Sequence, residues 1–135
     1  RKDHKYIKRM ELSLLFWIYL LNSVILIIHE IDSAYWQEWK LFSTDERVDI
    51  KGFLIIHFPV LFAILLGIIL VDKEMIAGYI ISLLVAAGGI FAFFFHFYHL
   101  RKGRHEFDNW LSKLILLLTL PVSLIQMVLT IFKMF

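Results

Sequence analysis

The sequence predicts an all-α integral membrane protein, an up-and-down four-helix bundle. Three observations predict it. Of the 135 residues 60% are hydrophobic and 19% charged, against about 45–50% and about 25% in a soluble domain. So short a chain cannot hide that much apolar surface in a water-facing fold. The apolar residues gather in four stretches, each close to the ~20 residues that carry a helix across the ~30 Å hydrocarbon layer. The links between them are uneven, longer at residues 29–52 and short at 99–109, and Asp72, Lys73 and Glu74 alone join the second stretch to the third; an up-and-down thread is the simplest arrangement.

The first stretch, Leu12–Ile28, follows a basic start of Arg1, Lys2, Lys5, Lys8 and Arg9. It is longer than a signal h-region and lacks a small-x-small cleavage pattern, so it is expected to be retained. Its helix is placed at about 11–40, running into an acidic and aromatic link in which Tyr35, Trp36, Trp39 and Phe42 read as an interfacial belt. Phe53–Val71 gives a helix at about 52–71, with Pro59 near its start. Met75–Tyr98 gives one at about 75–100, where Gly88-Gly89 reads as a close helix–helix contact. Trp110–Phe132 gives the last, at about 108–133, with Pro121 in its middle. Both prolines are tolerable kinks in a membrane helix. Periodicity inside the stretches is weak, no repeat is evident, and residues 1–135 read as one domain.

Several function classes drop out. The net charge of +2 does not argue for nucleic acid. With no Cys there are no disulfides, thiolate ligands, cysteine nucleophiles or covalent haem attachment. No serine lies in a G-x-S-x-G context, and neither H-E-x-x-H nor a phosphate-binding loop occurs. Lys and Arg divide seven against seven between the two membrane faces, so the positive-inside rule chooses no orientation; the basic flank of the first helix favours a cytoplasmic N-terminus.

The up-and-down thread brings the end of the first helix, the start of the second, the end of the third and the start of the fourth to one face. His29, His57, His96, His99 and His105 all belong to those ends, and only His4 lies across the membrane. His57 is five residues past Gly52 and His96 five before Arg101, so each sits ~7.5 Å inside its helix. Ionisable groups at such depth are costly and mark functional sites. A single such histidine often only bonds a neighbouring helix, but several at one depth point to metal. Glu30 and Asp32 follow His29, and Glu106 and Asp108 follow His105. His96 and His99 share one helical face, whereas Glu30 lies about 100° round from His29, so one can ligate while the other orients a ring. The expected ligands are His29, His57, His96, His99, His105 and Asp32, with Glu30 and Glu106 as ligand or general base. Imidazole with carboxylate is the donor set of zinc and of non-haem iron, for one ion or two. Arg101, Lys102 and Arg104 are expected to grip lipid headgroups. Polar residues elsewhere are few: Asn22, Ser23, Ser82, Thr119, Ser123 and Gln126. That predicts a one-sided pocket and not a path across the membrane.

The segments HEIDSAYWQEWKLF, FLIIHFPVLF and FHFYHLRKGRHEF resemble a family of small bacterial four-helix membrane proteins of uncharacterised function. By that resemblance His29, Glu30, Asp32, Trp36 and Trp39 match its first motif. His57 and Pro59 match its second, and His96, His99, Glu106 and Phe107 its third. The likeness extends to about Trp110 and implies a multi-pass protein of the bacterial inner membrane. A looser resemblance to membrane di-iron hydroxylases and desaturases rests on His at helix ends; the adjacent His pairs of those enzymes are absent.

The expectation is a membrane metalloprotein that acts on a lipid or other apolar substrate, as a zinc hydrolase or non-haem iron oxygenase, with a homodimer possible. The alternatives are a bis-His haem protein, a metal or proton carrier, and a structural subunit.

Overall fold

The structure, a computed structural model, describes residues 2–42, 49–103 and 108–135, with side chains from Leu14 onward except that of Phe42. Helix α1 spans Lys2–Tyr35, the short α2 Trp39–Phe42, α3 Ile50–Asp72, α4 Ile76–Arg101 and α5 Trp110–Met134. Among the described residues there is no strand. Four helices are long and apolar enough to cross a membrane. α1 packs between α3 and α5, and α4 packs on both of those and stands diagonally across from α1. The long helices thus follow one another round a square.

The first helix ends earlier than the sequence suggests. Glu38 N–H donates to the Ser33 carbonyl at 2.9 Å and Gln37 N–H to that of Ala34 at 3.3 Å, with Gln37 at φ 57°. This is a Schellman stop built on a left-handed glutamine, where glycine is usual. The chain therefore breaks away after Tyr35 and turns back over the helix end. The α3–α4 turn uses the same device: Met75 N–H reaches the Leu70 carbonyl at 3.0 Å with Glu74 at φ 55°. At the starts of helices, Asp49 caps α3 by accepting from the Lys51 and Gly52 N–H groups, and Asn109 caps α5 by accepting from Ser112 N–H.

The interior is as often polar as apolar. On α1 the buried positions include Leu15, Tyr19, Asn22, Leu26, His29 and Ser33, with Ser23 beside Asn22. On α5 they include Ser112, Leu116, Thr119, Ser123, Gln126 and Thr130. Steps of three and four alternate in both, the seam spacing of packed helices. Large side chains such as Trp17, Phe58, Phe62 and Phe132 face outward, as they do when lipid is the solvent.

Of the polar residues in the far half, Ser23 and Thr119 bond to their own helix backbone, and Asn22, Ser82, Ser123 and Gln126 are joined with Thr130. Asn22 Nδ2 donates to Ser123 Oγ at 3.1 Å and to Gln126 Oε1 at 2.8 Å. Gln126 Nε2 donates to the Ser82 carbonyl at 2.9 Å, and Ser82 Oγ meets Thr130 Oγ1 at 2.8 Å. This network ties α1, α4 and α5 where apolar attraction between helices is weak. Gly89 permits it: a Cβ there would lie 2.1 Å from Ser123 Oγ. The glycine pair thus divides, Gly89 buried against α5 and Gly88 exposed.

Candidate metal centre

Successive residues at the end of α1 fan out to its three neighbours, because a helix turns about 100° per residue. His29 points across the square to α4, where its ring meets His96 edge-on at a centroid distance of 4.8 Å. Glu30, one step round, faces α3 and places Oε2 2.7 Å from His57 Nε2. Asp32, on the other side, faces α5 and accepts a 2.6 Å hydrogen bond from Ser112 Oγ. Asp32 thus joins α1 to the start of α5 and stands outside the ligand cluster.

The third member of that cluster comes from beyond the helix. The Schellman turn swings Glu38 back, and Oε1 lies 3.2 Å from His96 Nε2. His29, Glu38 and His96 are all buried, with one ligand atom of each within 4.8 Å of the others. Two atoms bound at about 2.1 Å to one tetrahedral ion stand about 3.4 Å apart, so the set must draw together to hold one. Burial pushes the Glu38 carboxyl up, but the His96 hydrogen bond and charge, Ser33 and His29 outweigh it and hold the group below the usual carboxylate range. Glu38 is a ready anionic ligand.

Glu38 is the one triad residue that no sequence motif marks. Its only signal is an acid held between Trp36 and Trp39. Trp39, expected in the interfacial belt, packs on Phe53 at 5.5 Å, whose ring stacks on His57 at 3.7 Å.

His57 lies outside the triad but beside it. Its Nδ1 lies 2.7 Å from the Phe53 carbonyl oxygen, an acceptor only, which turns Nε2 toward Glu30.

His99, expected as a ligand, packs its half-buried ring on Phe95 at 4.5 Å and stands outside the triad. His105, Glu106 and Arg104 lie outside the described residues. Arg101 lies over the Phe97 ring at 5.5 Å and Lys102 over that of Tyr98 at 4.5 Å. Arg101 also borders a hollow of about 410 Å³ between α4 and α5, with Asp108 and its ion-pair partner Lys113.

A cleft of about 870 Å³ adjoins the triad. His29, Glu30, Glu38 and His57 line one end, and the rest is apolar, with Leu26, Ile64 and Val85 as its buried floor. Its rims on α3 and α4, among them Ile56, Val60, Leu84 and Phe91, are exposed. The opening lies between α3 and α4, two of the four helices long and apolar enough to cross a membrane.

A family model covers residues 15–133, that of a family of unknown function (DUF6713). The chain belongs to DUF6713. No curated protein and no solved structure matches it. All three triad residues and the Glu30–His57 pair of this DUF6713 member fall inside the matched stretch.

Proposed function

We propose that this protein is a membrane-embedded, metal-dependent enzyme that acts on a lipid or other apolar substrate. The observation that carries the reading is the buried His29–Glu38–His96 set at the polar end of an apolar cleft. Two histidines and one carboxylate leave coordination positions open, as in catalytic zinc sites and in non-haem iron oxygenases. An ion bound there would polarise a substrate carbonyl or lower the pKa of a bound water.

The chain's own groups do the rest. His29, His96 and Glu38 hold the ion. The Glu30–His57 pair faces the same cleft and sets a carboxyl against an imidazole, the two groups used most for acid–base work. In hydrolysis, water adds across an ester or amide; its hydroxyl goes to the acyl carbon and its proton to the leaving group. With iron, oxygenation would need dioxygen and two electrons from a donor outside this chain. The apolar walls exclude bulk water and admit a substrate from the bilayer. The triad suits an ion better than haem, because rings in edge contact at 4.8 Å leave no gap for a porphyrin plane between them.

Elemental analysis of protein purified with and without air tests the reading. One zinc or iron per chain, lost in His96→Ala and in Glu38→Ala, supports it, and metal-free wild type refutes it. Product analysis of lipid vesicles incubated with the loaded protein then separates hydrolysis from oxygenation.

A further inference from the structure

We propose that the cleft seats one linear acyl chain with its polar end at the triad, and that Gly88 sets the length of chain it accepts. The proposal deepens the metalloenzyme reading and rests on it for the polar end alone.

Shape and chemistry identify the occupant. The cleft follows α3 from Phe53 to Ile64 and α4 from Phe95 back to Ile81, about 16 Å and about 21 Å of helix. One leaflet of a bilayer contributes about 15 Å of hydrocarbon, so the cleft matches a single leaflet's chain in length. Its polar residues are confined to one end and its walls are aliphatic and aromatic. An amphiphile with one polar head and one unbranched tail fits that distribution. A compact polar solute does not. The tail would enter sideways between the exposed rims of α3 and α4.

Gly88 stands half-way along. It lines the cleft, and a Cβ built on it meets nothing within 4 Å, whereas one on neighbouring Gly89 collides with Ser123. A side chain at 88 would therefore project into the space of the tail without disturbing helix packing. Gly88 is eight residues from His96, about 12 Å along α4, so a bulky residue there closes the deep half and leaves the half beside the triad open.

Native mass spectrometry of the purified protein tests this with octanoate, palmitate and dipalmitoyl phosphatidylcholine as probes. Wild type is expected to retain palmitate or the phospholipid, and which one it retains tells a free acid from an intact lipid. Gly88→Phe is expected to lose the long chain at least tenfold, keep octanoate, and keep its metal content and helical circular dichroism. Gly88→Ala serves as the gentler variant and is expected to fall between. Undiminished palmitate or phospholipid binding in Gly88→Phe overturns the role of Gly88. Failure of wild type to retain any chain while holding metal overturns the whole proposal and leaves the metal reading standing. Chain retention by metal-free protein does the reverse.

Discussion

His96 Nε2, deep in α4, lies 3.2 Å from Glu38 Oε1, which reaches it from the turn beyond α1. A residue outside the membrane-spanning stretch thus completes a cluster inside it. Glu38→Ala is therefore expected to weaken metal binding at least tenfold while the four-helix bundle persists, since it removes one of three donors from a residue outside the four long helices. Equilibrium dialysis against zinc and iron measures it.

Acidification is expected to release the ion, because the ligands bind in their deprotonated forms. Glu38 also has its own signature. Its carboxyl is held below the usual range, so its stabilising contribution is complete above the unfolded value of about 4.3 and is lost as pH falls through the lower folded value. Glu38→Gln is expected to lower the unfolding midpoint of metal-free protein at neutral pH. The difference from wild type should close only below the ordinary carboxylate range.

The Glu30–His57 pair is expected to separate metal binding from turnover. Glu30→Gln leaves the triad intact and keeps the metal, but it removes the carboxyl that lies 2.7 Å from His57 Nε2. Under the enzymatic reading it loses about 10²–10⁴-fold in turnover, the range for a lost acid–base group. Metal content and product formation measured on one preparation decide it.

Gln37 holds a left-handed backbone at φ 57°, a conformation that costs a non-glycine residue roughly 1–2 kcal/mol. Gln37→Gly is expected to stabilise the protein by up to about 1 kcal/mol with metal retained. Gln37→Val is expected to destabilise it and to lower metal affinity together, because the turn that it strains is the one that aims Glu38. Unfolding in mixed micelles, followed by circular dichroism, reads both.

Asn22 makes hydrogen bonds to Ser123 and Gln126 that cross from α1 to α5. Interhelical bonds of this kind contribute about 0.6 kcal/mol on average and up to about 1.7 in membrane bundles. Asn22→Leu is expected to cost about 1–2 kcal/mol for the pair. The metal site, two helical turns away, should keep its ion.

The positions of the four long helices were legible because the bilayer demands uninterrupted apolar length, and length is written in the chain. His29, His57 and His96 were legible as a group because an up-and-down thread forces those helix ends to one face. Glu38 was not, since its place depends on a turn at a glutamine that carries no glycine signal. The network of Asn22, Ser82, Ser123, Gln126 and Thr130 was not legible for a related reason. Each sits alone in an apolar run, and their three-and-four spacing marks an interior only once lipid is known to cover the other faces.

Composition and span length by themselves determined a four-helix membrane chain with imidazoles gathered near one surface, because hydrocarbon tolerates no other arrangement of such residues. Only the tertiary structure decided which groups share a centre. The helical rotation of about 100° per residue sends His29, Glu30 and Asp32 to three different helices, and a local reversal of the backbone supplies Glu38. Direction, unlike depth, is fixed by packing.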